Sequence, residues 1–129
     1  MTELRRYSVI VWIWLFLSFA PAMSVASDPT NPMSESDALE LLSQAIKRDS
    51  LYSAWTKMEC LRFFMEETTE KYFEFAIREK HEGTCPGDPI TQPIVDRFQV
   101  YRSTKKILWY DVVNDEYVAY KHVLEYRKR

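Results

Sequence analysis

Two cysteines and two histidines are the scarcest reactive side chains in this chain of 129 residues. His81 precedes Cys85 by four residues, a spacing that lets an imidazole reach a thiol within one loop. Nucleophilic catalysis would need that thiol free. The first 26 residues argue against it. Arg5 and Arg6 precede the apolar run Val9 to Leu17, extended by Ser18-Phe19-Ala20, and Ser24-Val25-Ala26 offers small residues for cleavage after Ala26. This is the layout of a secretory signal peptide, and Pro21 ends the run before the roughly 20 apolar residues a spanning helix needs. An exported chain with two cysteines joins them, so Cys60 and Cys85 are assigned to one disulfide.

The remaining chemistry is sparse. Asp88, Asp96 and Asp111 would gather if the loop bearing Cys85 folded over the strands that follow it, and paired carboxylates can move protons. Each has a simpler reading: Asp88 before Pro89 suits a turn, and Asp96 beside Arg97 and Asp111 beside Val112 suit solvent or an ion pair. No Gly-x-Ser-x-Gly elbow, phosphate-cradling glycine loop or His-Glu-x-x-His run is present. With His81 and His122 as the only histidines and no Cys-x-x-Cys pair, no metal or other cofactor is assigned. Nor is any catalytic residue.

The elements that position these residues follow from periodicity. Residues 27–33, with Pro29 and Pro32, form a linker that we assign as disordered. Ser34 with Asp37 makes a capping box, and Ala38, Leu41, Leu42, Ala45 and Ile46 form one helical stripe. From Met58 the period becomes two. Leu61, Phe63 and Met65 share one strand face, and Phe73, Phe75 and Ile77 share another. His81 to Pro93 holds both glycines and three prolines, which forbid regular structure and make a corner. Strands resume at Ile94–Tyr101 and Ile107–Val113. Tyr117–Tyr120 either adds an edge strand or packs as an extended tail. Arg127-Lys128-Arg129 reads as a solvated end. Residues 34–129 therefore form one α+β domain, a helix on an antiparallel meander of four strands with room for a fifth.

Charge and aromatic content bound the partners. Loss of residues 1–26 removes Arg5, Arg6 and Glu3 and takes the net charge from −2 to −3, with no basic stripe for nucleic acid. Fourteen of the 19 Phe, Trp and Tyr residues lie beyond Ala26. One helix on one sheet cannot cover them all, and Trp109 and Tyr110 must point to opposite faces. Aromatic residues dominate interface energies. The surface assigned to a protein partner accordingly comprises His81, Asp88, Tyr101, Trp109, Tyr110 and Tyr117, presented by the hairpin of the third and fourth strands together with the Cys85 corner.

From Ser34 to Val113, one helix followed by an antiparallel meander resembles the cystatin-like arrangement. The Gln-x-Val-x-Gly loop of cystatin protease inhibitors is absent, and Thr91-Gln92-Pro93 does not replace it. The signal segment, single disulfide and proline-rich corner are similar to those of periplasmic inhibitor and immunity proteins that block lysozyme-type or secreted toxin enzymes. The resemblance implies an exported, non-catalytic protein-binding domain, periplasmic in a Gram-negative bacterium and secreted otherwise, with no membrane span after cleavage. Two alternatives stand beside it. One is a structural or accessory subunit of a cell-envelope complex. The other is a small-ligand-binding or enzymatic domain, with Asp96 or Arg62 turned into a pocket between helix and sheet.

Overall fold

The computed structural model describes residues 32–128. The assigned signal segment and the linker up to Asn31 lie outside the described residues. Met33, at the end of that linker, is already buried in the core.

Helix α1 spans Glu35–Arg48, and the capping box of Ser34 and Asp37 forms in both directions. Such a cap is worth about 1 kcal/mol. Glu35 and Asp37 in the first turn and Lys47 and Arg48 in the last complement the helix dipole. Ala38, Leu42, Ala45 and Ile46 of the stripe are buried. Leu42 and Ile46 are fully removed from water, which stabilises by about 1.5–3 kcal/mol each. After a turn, a short 3-10 helix at Met58–Cys60 leads into β1, Leu61–Thr68. The strand thus starts three residues later than the alternation from Met58 implies.

The sheet continues with β2 (Tyr72–Glu79), β3 (Ile94–Tyr101), β4 (Ile107–Asp111) and β5 (Glu116–Ala119). Neighbours in sequence are neighbours in space, in the order β1-β2-β3-β4-β5, and every pair is antiparallel. The strand expected over Ile107–Val113 ends two residues early, at Asp111. The edge strand expected within Tyr117–Tyr120 forms at Glu116–Ala119, and from Tyr120 the chain enters a second helix, α2, at Lys121–Arg127. The single helix expected is joined by this second one.

Register sets the faces. Phe75 pairs with Phe98, and Phe98 with Trp109, so these three lie on one side of the sheet. Phe73, Phe75, Ile77, Phe98, Val100 and Trp109 pack there with Ala38, Leu42 and Ile46 of α1 and Val123 of α2. Both helices therefore cover the same face. The other face carries Tyr72, Glu74, Arg97, Gln99, Tyr110 and Tyr117, tied together by Gln99 to Glu74 (3.0 Å) and Arg97 to Glu66 (2.7 Å). The C-terminal segment does not fold over it.

A meander alternates its ends. The β2–β3 corner and the β4–β5 turn lie at one end, and the β1–β2 and β3–β4 turns at the other.

Candidate functional site

The corner is held by three devices. Cys60 and Cys85 form a disulfide with Cα atoms 5.4 Å apart, tying the loop to the start of β1. His81, its side chain 9 % exposed, is the second. Its Nε2 lies 2.7 Å from Glu79 Oε2 and its Nδ1 3.0 Å from the Asp88 carbonyl. Both partners only accept, so the imidazolium, with two donors, satisfies both at once. The bond to Glu79, then that to Asp88, holds the His81 pKa above the ordinary imidazole value. Gly87 lies flat on the ring. Its φ is +120°, and a Cβ there would sit 2.5 Å from the imidazole. Asp88 is the third device: its Oδ1 accepts the Ile90 N–H at 3.0 Å and its carbonyl accepts the Thr91 N–H at 3.0 Å. The loop so built presents Ile90 to water at 89 % exposure.

The His81 bonds carry a sign. A pKa raised in the folded state stabilises fully below the unfolded value, and the gain is lost as pH rises through the folded value. Thermal stability should therefore fall as the pH is raised above the unfolded imidazole value of about 6.5, and His81→Gln should flatten that slope. An unchanged slope in the variant would remove His81 from the clamp.

The β4–β5 turn repeats the logic at the same end of the sheet. Asp111 Oδ1 accepts the Val113 N–H at 2.9 Å and Asp111 Oδ2 accepts from Asn114 Nδ2 at 2.7 Å. These bonds, Asn114 first, hold the Asp111 carboxyl below its ordinary range. The Tyr110 hydroxyl donates to Asp115, which raises the Tyr110 pKa. Val112 and Val113 are left 69 % and 76 % exposed on this braced turn.

Between α1, β3 and α2 near that end lies a buried carboxylate. Asp96, its side chain 5 % exposed, accepts from Tyr52 Oη (2.7 Å), Trp109 Nε1 (2.7 Å) and Arg127 Nη2 (2.9 Å). Burial first, and then the Asp96 charge, push the Tyr52 phenol far above its ordinary value. The Arg127 guanidinium lies 4.7 Å from the Trp55 ring centre and 5.6 Å from that of Tyr126. Leu51, Tyr52, Ala54, Trp55, Tyr126 and Arg127 line a cleft of about 380 Å³ above the carboxylate.

The residues assigned from sequence are distributed unevenly. His81 and Asp88 come together as clamp and turn of one loop. Tyr110 and Tyr117 form a ring pair at 5.2 Å on the face without helices. Tyr101 pairs instead with Tyr72, toward the far end. Trp109 is corrected: at 4 % exposure it belongs to the core and offers nothing to a docking surface, because its pairing with Phe98 turns it inward. The β3–β4 hairpin turn is corrected too, since it lies at the end opposite the Cys85 corner. Asp88, Asp96 and Asp111 do not form one cluster: Asp88 and Asp111 each brace their own turn, and Asp96 is enclosed by Tyr52, Trp109 and Arg127. Arg127 is part of that buried network and not of a solvated tail. Arg62 reaches outward to Glu82 at 2.8 Å, not into a pocket.

Sequence reasoning missed Ile90, Val112 and Val113, and also Tyr52, Trp55 and Arg127. One signal was available: Asp96 shares strand parity with Phe98 and Val100, which places it inward and demands donors.

Among the described residues, no three His, Cys, Asp or Glu side chains gather as a metal site, and no helix is long and apolar enough to cross a membrane. In comparison with known proteins, no family model, curated protein or solved structure matches the chain.

Proposed function

We propose that this protein is an exported, non-catalytic recognition domain that docks the end of its sheet bearing Ile90 and Val112–Val113 onto a protein partner. In this reading the partner is an enzyme of the cell envelope or of secreted traffic, which the domain blocks. One observation carries the proposal. The largest apolar exposures in the described chain, Ile90, Val113 and Val112, sit on two loops at one end of the sheet, each fixed by its own hydrogen bonds. Scattered exposed aliphatic residues are ordinary. Here the ordering of the loops precedes contact, so docking loses less conformational freedom. The likeness to inhibitor and immunity proteins points the same way.

The test is capture with a control for folding. Wild-type protein on a support should recover a stoichiometric enzyme whose activity falls as the complex forms. The triple variant Ile90→Asp, Val112→Asp, Val113→Asp should melt as the wild type does and recover none of it. Three aspartates in an apolar contact would bury unpaired charge, which is strongly unfavourable, so loss should be near complete. Full recovery by the variant would move the interface elsewhere. A stable complex without inhibition would favour the accessory-subunit reading.

A second reading rests on the cleft above Asp96. The Arg127 Nε is buried without an acceptor among the described residues, and Trp55 and Tyr126 stand exposed beside it. A small ligand with one acceptor and a flat face would fit those walls.

A further inference from the structure

β1 ends the sheet, and its outer edge faces no other strand among the described residues. The backbone groups on that edge can be assigned. The Lys80 N–H donates to the Cys60 carbonyl at 2.8 Å. Antiparallel ladders alternate, so Arg62 and Phe64 turn their backbone groups toward β2, while Leu61, Phe63 and Met65 turn theirs outward. The Leu61 N–H is already taken by the Met58 carbonyl in the 3-10 turn. Beyond Met65 a bulge at Glu66 breaks the register. The complete, regular stretch of free edge is therefore Phe63 to Met65.

Protein sheets usually guard an edge with charge, bulges or cover. In β1 the bulge and Glu66-Glu67 guard only the far half. The near half instead exposes Phe64 (40 %) and Met65 (42 %). The sequence around Phe64 is also complementary to itself when reversed. Arg62 and Glu66 lie equally far on either side, as do Phe63 and Met65.

We infer that two copies of this chain pair antiparallel through β1, about a two-fold axis at Phe64, to make one sheet of ten strands. Phe63 of each copy exchanges both backbone bonds with Met65 of the other, giving four. This register uses only free groups; centring on Phe63 would need the occupied Leu61 N–H. On the face bearing α1, each Phe63 covers the exposed Met65 of the second copy. On the opposite face the two Phe64 rings meet, each with Arg78 already 5.6 Å above its ring centre. Arg62, bonded to Glu82 in its own copy, lies on the side toward the second copy's Glu66, which its own Arg97 holds in the bulge, so the two charges bring long-range attraction and not a new ion pair. Aromatic pairs are among those that favour cross-strand pairing. The bulge keeps the ladder short, so the dimer is reversible.

The pairing is independent of the recognition end. The test is sedimentation of the purified chain over a concentration series, with amide exchange at its two extremes. The mass should rise from one copy to two, and exchange at Phe63 and Met65 should slow as it does. Phe64→Lys sets two like charges against each other on an exposed position and should weaken dimerisation by about tenfold or more, with an unchanged melting temperature. The triple variant at Ile90, Val112 and Val113 should dimerise like the wild type. A monomer at all concentrations would overturn the inference. So would a dimer that leaves the Phe63 and Met65 amides unprotected and survives Phe64→Lys.

Discussion

Asp96→Ala should lower the unfolding free energy by about 3–5 kcal/mol, a large share of the 5–15 kcal/mol typical of a domain. The carboxylate joins four elements: the turn after α1 through Tyr52, its own strand β3, β4 through Trp109 and α2 through Arg127. Alanine leaves a phenol, an indole N–H and a guanidinium facing the space the carboxylate filled. Each orphaned neutral donor costs about 1–3 kcal/mol. Arg127 keeps part of its side chain in water and recovers some hydration, which holds the total within that range. Asp96→Asn retains an acceptor but not the charge facing Arg127, and should cost less than alanine. Urea unfolding with an unchanged slope measures both. A loss under about 1 kcal/mol for alanine would mean that water replaces the carboxylate without strain.

Removing the disulfide should come next in size. Cys60 and Cys85 close a segment with a sequence separation of 25, which in the chain-entropy model stabilises by about 3.5 kcal/mol. Cys60→Ser with Cys85→Ser should therefore lose about 2–4 kcal/mol, largely through a less restricted unfolded chain. The double variant should also lose partner recovery beyond what stability explains. Cys85 anchors the loop that carries Ile90, and without the link the loop depends on the bonds of His81 and Asp88 and on the half-exposed Arg62–Glu82 pair. Melting under reducing conditions that matches the oxidised protein would contradict both statements.

These effects differ in how far the sequence announced them. Phe73, Phe75 and Ile77 recur at every second position, between Tyr72, Glu74, Ala76 and Arg78, and all three are buried. The Ser34–Asp37 cap is a local pattern and forms as written. The corner is marked by glycine and proline, which act within a few residues. Asp96 was harder. Its strand parity places it inward, yet its Arg127 partner lies 31 residues away on a seven-residue helix held by tertiary contacts, Val123 in the core, Tyr126 against Trp109 and Arg127 on Asp96 itself. An isolated helix of that length has little stability of its own, so its pattern is faint. Trp109 and Tyr110 show the same limit. Adjacency sends them to opposite faces, but only pairing with Phe98 decides which goes inward. Ile90 reads as an ordinary loop residue and Val112 and Val113 as the end of a strand, until the bracing bonds of Asp88 and Asp111 are seen around them; the bonds of Asp111 to Val113 and Asn114 turn the chain out of β4 there.

The claim that binds these points together is that the exposed residues of the recognition end are held as firmly as the sheet. Backbone ¹⁵N relaxation measures this directly. Ile90, Val112 and Val113 should show order parameters near the rigid value of about 0.85, matching Phe75 and Phe98. Values below about 0.6 at these positions would describe loose loops and contradict a surface formed before its partner arrives.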